Sequence, residues 1–121
     1  MDIEELRDYC LSFPETTEEF PFDDVTIVFK VCGKMFALTT LDETPLRVNL
    51  KCNPEQAIEL REKYSCVSPG YHMNKRLWNT IEITGEMPAS GLKQWIKHSY
   101  SEVIRKMPRR DRDRLSALLA G

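Results

Sequence analysis

Tyr71, His72, Asn74, Lys75, Arg76 and Trp78 fall within one ten-residue stretch, YHMNKRLWNT at 71–80. These residue types suit a nucleic acid. Cations neutralise phosphates, planar rings stack on bases, and amides bond to base edges. Lys30, Lys34, Arg47 and Lys51 add cations upstream, in segments that alternate like strands. In 45–52, PLRVNLKC, the parity sends Leu46, Val48, Leu50 and Cys52 inward and Arg47, Asn49 and Lys51 to a wet face. Trp78 has the parity opposite to Ile81 and Ile83, so it is expected beside polar groups and cations rather than among core side chains.

Other chemistries find less material. There is no GxSxG elbow and no phosphate-binding glycine loop. The two histidines, His72 and His98, reach a cysteine only if the fold brings them there. Neither a catalytic set nor a cofactor motif is present, so the chain is expected to be neither an enzyme nor a cofactor carrier. Seven carboxylates, Glu4, Glu5, Asp8, Glu18, Glu19, Asp23 and Asp24, would make an acidic ridge of the kind hard cations favour, though their spacing fits no closed ligand loop. Cysteines at 10, 32, 52 and 66 form no CxxC pair and no common zinc pattern. They read as free, mostly buried thiols in a reducing compartment.

The elements that must position these residues follow from periodicity. Asp2 and Glu5 form a capping box for a helix over 3–13, with Ile3, Leu6, Cys10 and Phe13 on one face and Pro14 as its stop. Residues 14–24 carry two prolines and no period, a loop pinned to the core by Phe20 and Phe22. Strands are expected at 25–31 and 34–41 around a tight Cys32-Gly33 turn, then at 45–52 after the turn 42–45. Asn53 and Pro54 start a helix that runs to about Tyr64. A loop over 65–74 leads to a strand at 77–83. In 90–107, Leu92, Trp95, Ile96, Ser99, Val103 and Met107 make a long helical stripe, with Trp95 expected in the core. Of the two tryptophans, Trp78 is expected to cost less stability when truncated. A last helix covers 109–119, with RRDRDR exposed.

The 121 residues suit one domain, at 41% apolar and 30% charged residues. No apolar run is long enough to span a membrane, and MDIEEL lacks a basic leader, so a soluble, cytoplasmic monomer is expected. The net charge of −2 conceals a division: residues 1–24 carry −8 and residues 25–121 carry +6. An acidic overall balance therefore leaves room for a cationic surface on the later part of the chain.

KVCGKMFALTTLD (30–42), VNLKCNPEQAIELREKY (48–64), PGYHMNKRLWNT (69–80) and KHSYSEVIRKMP (97–108) resemble the MmcQ/YjbR family of small bacterial proteins, in order and over nearly the whole chain. The resemblance implies a two-layer α+β sandwich of frataxin-like arrangement, an antiparallel sheet with helices mainly on one face. It also implies a DNA-binding protein of the "double-wing" type, and it brings no catalytic residues. Leu77 stands where the family commonly has an aromatic or His before the Trp, which removes one stacking group. Three functions follow as expectations. The first is DNA binding through Lys75, Arg76, His72, Asn74 and Trp78 with Arg47 and Lys51. The second is a protein-interaction module using the Tyr71–Trp78 surface, and the weakest is a metal-binding acidic ridge.

Overall fold

A computed structural model describes residues 1–70 and 73–121. Its centre is a six-stranded sheet: β1 (Thr16–Glu19), β2 (Thr26–Val31), β3 (Lys34–Thr40), β4 (Arg47–Lys51), β5 (Val67–Pro69) and β6 (Trp78–Glu82), in the order β1-β2-β3-β4-β6-β5. Every pairing is antiparallel. Four helices accompany it: α1 (Ile3–Leu11), α2 (Pro54–Lys63), α3 (Ala89–Arg105) and α4 (Arg109–Ala120). Leu6 and Cys10 of α1, Ala57 and Leu60 of α2, Ile96 and Tyr100 of α3 and Leu115 of α4 all join the cluster that buries Ile27, Phe29, Val48, Leu50 and Ile81. The helices thus share one face of the sheet, as the alternating strands require. Among the described residues no helix is long and apolar enough to cross a membrane.

Local signals explain most element ends. The Asp2 carboxylate accepts the Glu5 N–H at 2.8 Å, and the Asn53 side chain accepts from Glu55 N–H. The β2–β3 turn places Cys32 at φ 48° and Gly33 at φ 78°, the left-handed pair that matches strand twist in a two-residue hairpin.

Two segments depart from the periodicity. Residues 14–24 are not all loop, because Thr16–Glu19 pairs with Val28–Val31 as an edge strand. Such a polar TTEE segment has no alternating signature, and its pairing partner decides it. Phe20 and Phe22 are not core pins: they are 43% and 72% exposed. Within the expected loop 65–74, Val67–Pro69 adds a short edge strand against Asn79–Ile81.

A bulge interrupts the β2–β3 ladder. Ala37 faces Phe29 while Met35 faces Lys30, so Phe36 is the extra residue. Phe36 and Ala37 are both buried as a result. The bulge frees the Phe36 carbonyl, which accepts the Ser99 hydroxyl at 2.5 Å, while that oxygen accepts the Lys51 N–H at 2.8 Å. Ser99 in the apolar stripe of α3 therefore serves two backbone groups of the sheet. Trp95, expected in the core, lies half-buried at its flank. Its ring meets His98 edge-on at 5.1 Å.

Candidate nucleic-acid interface

The turn before β6 is built from its own polar groups. The Asn74 side-chain oxygen accepts the Arg76 N–H at 3.0 Å, and the Asn74 carbonyl accepts Leu77 and Trp78 N–H at 3.1 and 2.9 Å. Such local bonds are the reason Asn favours turns. From α2, the Arg61 guanidinium donates to the Lys75 carbonyl, to the Trp78 carbonyl at 3.3 Å and to the Asn79 Oδ1 at 2.7 Å. Asn79, buried on the helix side, passes its amide on to the Ala57 carbonyl at 3.3 Å. Gly70 lies across the strand and donates its N–H to the Trp78 carbonyl at 2.8 Å. A Cβ on Gly70 would come within 2.8 Å of the Trp78 Cβ, so this close approach demands glycine.

This frame fixes main chain and leaves two side chains free. Lys75 and Arg76 are exposed, and among the described residues neither forms an ion pair. Lys51 stands opposite Trp78 in the ladder, and Cys52 N–H donates to the Leu77 carbonyl at 2.7 Å. Lys51 and the turn therefore occupy the same end of the β4–β6 pair. Burial depresses the Lys51 pKa, and the neighbouring Lys106 and Arg105 depress it further against the opposing pull of Glu102. Glu102 itself is engaged by Arg105 at 2.8 Å.

Arg47 sits elsewhere. It starts β4, four residues from Lys51 and therefore about 13 Å away along the strand. Its guanidinium bonds the Glu82 carboxylate at 3.2 and 3.1 Å and approaches Glu43 at 3.5 Å. Arg47, Asn49 and Lys51 are all half-exposed on the face away from the core, as the parity requires. Trp78 likewise falls outside the main core cluster, yet it is only 9% exposed. Its ring is therefore largely withdrawn from stacking with a base. Tyr71 and His72 lie outside the described residues, so the expected roles of both rings do too. Lys30 is paired with Glu19 at 3.3 Å, and Arg109, Arg112 and Arg114 are laced to Asp111, Asp113 and Glu15.

The remaining chemistries disperse in the fold. Glu18 pairs with Arg7 at 2.8 Å, Glu19 with Lys30, and Asp23 caps Val25 and Thr26. Among the described residues no group of three or more His, Cys, Asp or Glu is placed to hold a metal, so the acidic ridge does not assemble. The four cysteines are free. Burial pushes the Cys10 thiol up to about 12 and Cys52 up to about 11, which suppresses the thiolate a nucleophile needs. His98 has a structural partner: its Nε2 accepts the Asn53 N–H at 3.1 Å, beside Glu102 at 3.9 Å.

Sequence reasoning passed over Arg61, Arg105 and Lys106. Arg61 reads as one more charged helix residue, and its role depends on the turn folding back over α2. Arg105 and Lys106 were legible only as the polar end of the stripe in 90–107.

The model of the YjbR family matches residues 11–102. The uncharacterized protein YjbR of Escherichia coli (strain K12) is 32% identical over 118 residues, 98% of this chain and all of that protein. The uncharacterized protein YbdF of Escherichia coli O157:H7 is 31% identical over 113 residues, 93% of this chain and 92% of the relative. Among solved structures, Deinococcus radiodurans protein DR2400, with a DUF419 domain, superposes with a TM-score of 0.88 at 40% identity, covering 94% of this chain and 87% of that one. A Pseudomonas syringae protein superposes at 0.71 with 26% identity, covering 82% of this chain and 96% of its own.

Proposed function

The chain belongs to the YjbR family, and we propose that it binds DNA through the cationic end of the β4–β6 pair, with Lys75 and Arg76 as the principal phosphate contacts and Lys51 beside them. The observation that carries this reading is the pairing of a fixed main chain with free charges. Arg61 and Asn74 hold the 74–77 turn, while the Lys75 and Arg76 side chains meet no carboxylate among the described residues. With the main chain already fixed, only the side chains of these un-neutralised cations have to be ordered when they meet a phosphate. Lys106, without an ion pair among the described residues, extends the positive potential around Lys51, whereas Arg105 is paired with Glu102.

The mode is backbone recognition. The Asn74 oxygen is engaged in its own turn and Trp78 is buried, so this acceptor and this ring are withdrawn from base edges and faces. Phosphate contacts position a protein on a duplex without reading its sequence. Arg47, held between Glu82 and Glu43, contributes nothing to this surface.

Fluorescence anisotropy with random duplex and single-stranded DNA at two salt concentrations tests the proposal. Wild type is expected to bind with steep salt dependence. The double change Lys75→Ala, Arg76→Ala is expected to weaken binding and flatten the slope of log affinity against log salt by about 2. Stability should change within about 0.5 kcal/mol, because both side chains are exposed and only their main chain is used. Salt-independent binding, or none, would overturn the reading. A wild-type slope in the double mutant would move the interface away from this turn. A protein partner on the same surface would show affinity that salt leaves nearly unchanged.

A further inference from the structure

The sheet face without helices is not flat. A trough of about 720 Å³ opens over its middle, between Phe22 on one side and Pro69 and Met73 on the other. The ladder defines its floor. One row crosses five strands as Val28, Leu38, Asn49, Thr80 and Ser68. Val28 lies beneath the surface at 1% exposed, so the accessible row passes from apolar Leu38 to an amide and then to hydroxyls. In the next row lie Thr26, Thr40 and Arg47. The bulge at Phe36 turns Met35 onto the same face, extending the apolar end.

The charges of this trough are already matched. Among the described residues the lining holds one cation, Arg47, and one anion, Glu43, which pair at 3.5 Å, and Glu82 beside the trough also bonds the guanidinium. An anion would have to displace a carboxylate from Arg47. A cation would meet carboxylates that already hold a guanidinium. Neutral donors remain available. The Asn49 oxygen accepts the Thr80 hydroxyl at 2.5 Å, while among the described residues the Asn49 amide nitrogen and the Thr40 hydroxyl have no hydrogen-bond partner.

We propose that the open face of the sheet is a binding site for a small uncharged amphipathic molecule, its apolar body on Phe22, Met35, Leu38 and Met73 and a carbonyl-type acceptor at Asn49 and Thr40. The volume lies in the range of small-molecule sites, and an apolar wall with a few convergent polar groups is their usual composition. The trough's matched charges set this site apart from the cationic end where DNA is proposed to bind, and the two stand or fall separately.

The test uses Nile red, an uncharged dye with a ring carbonyl, titrated into the full chain with fluorescence and ¹H–¹⁵N shift mapping. Saturable one-to-one binding is expected, with shifts concentrated on 38, 40, 49 and 80. Leu38→Glu is expected to weaken it at least tenfold and Asn49→Ala severalfold, each checked for folding by circular dichroism. The Lys75→Ala, Arg76→Ala double mutant should bind the dye as wild type does. Absence of saturable binding, or indifference to both trough variants, would overturn the proposal. So would equal affinity for the anionic dye 1-anilinonaphthalene-8-sulfonate, because the matched charges would then decide nothing. If sedimentation shows a dimer that Leu38→Glu abolishes while wild type binds no dye, a second copy covers this face and the small-molecule reading fails.

Discussion

At the residue scale, the two tryptophans exchange the roles their spacing suggests. Trp95 has the right period for a core residue but lies half-buried at the flank of the core, its ring edge-on to His98. Trp78 points to the wet face yet is nearly enclosed, with Gly70 against its Cβ. Trp78→Ala is therefore expected to cost about 3–5 kcal/mol and Trp95→Ala about 2 kcal/mol, the reverse of the order that parity suggests. Urea denaturation of both variants measures the difference, and a larger loss for Trp95→Ala would refute it. His98 supplies a pH effect. Burial holds its pKa below 6.5, with Glu102 opposing and Arg105 assisting that shift. Its Nε2 accepts the Asn53 N–H, so only the neutral ring keeps the bond. The folded-state pKa is depressed, so the stabilisation is present above about 6.5 and is lost as pH falls through the lower folded value. Denaturation midpoints measured between pH 7.5 and pH 5 should fall for wild type and fall less for His98→Gln. Equal pH dependence in the two proteins would remove His98 from this role.

At the scale of elements, one hydroxyl couples α3 to two strands. Ser99 answers the carbonyl that the Phe36 bulge frees and the N–H of Lys51. Ser99→Ala keeps the volume and removes both bonds, depriving the buried Phe36 carbonyl and the part-buried Lys51 N–H of this partner. The expected loss is about 1–3 kcal/mol, with faster amide exchange at Lys51. Ser99→Thr, which retains the hydroxyl, should recover more of the exchange protection than of the stability, since its extra methyl enters a filled core. Unchanged Lys51 exchange in Ser99→Ala would show that the bond does not protect this end of β4. The turn at 74–77 follows the same logic in reverse. Arg61 spends its donors on main-chain carbonyls, and this is what leaves Lys75 and Arg76 at liberty.

At the scale of the whole molecule, charge and curvature divide the surface. The acids of residues 1–24 meet local partners or solvent along α1, β1 and the segment after it. Lys51, Lys75 and Arg76, none of them ion-paired among the described residues, lie at the end of the β4–β6 pair where β4 finishes and β6 begins. The strands with strict alternation, the capped helices, the Cys32-Gly33 turn and the inward parity of Val48 and Leu50 can all be read along the chain, because each follows from near neighbours. The resemblance over 30–108 was legible for the same reason, being carried by contiguous words. Long-range contacts make TTEE a strand, set Phe22 as the wall of a trough, pair Arg47 with carboxylates while Lys75 meets none among the described residues, and enclose Trp78. Each of these depends on a residue distant in sequence: Val28–Val31 for β1, Glu82 for Arg47, Gly70 and Arg61 for the Trp78 turn. Periodicity reports which way a side chain points, and what waits there is settled by how the rest of the chain returns.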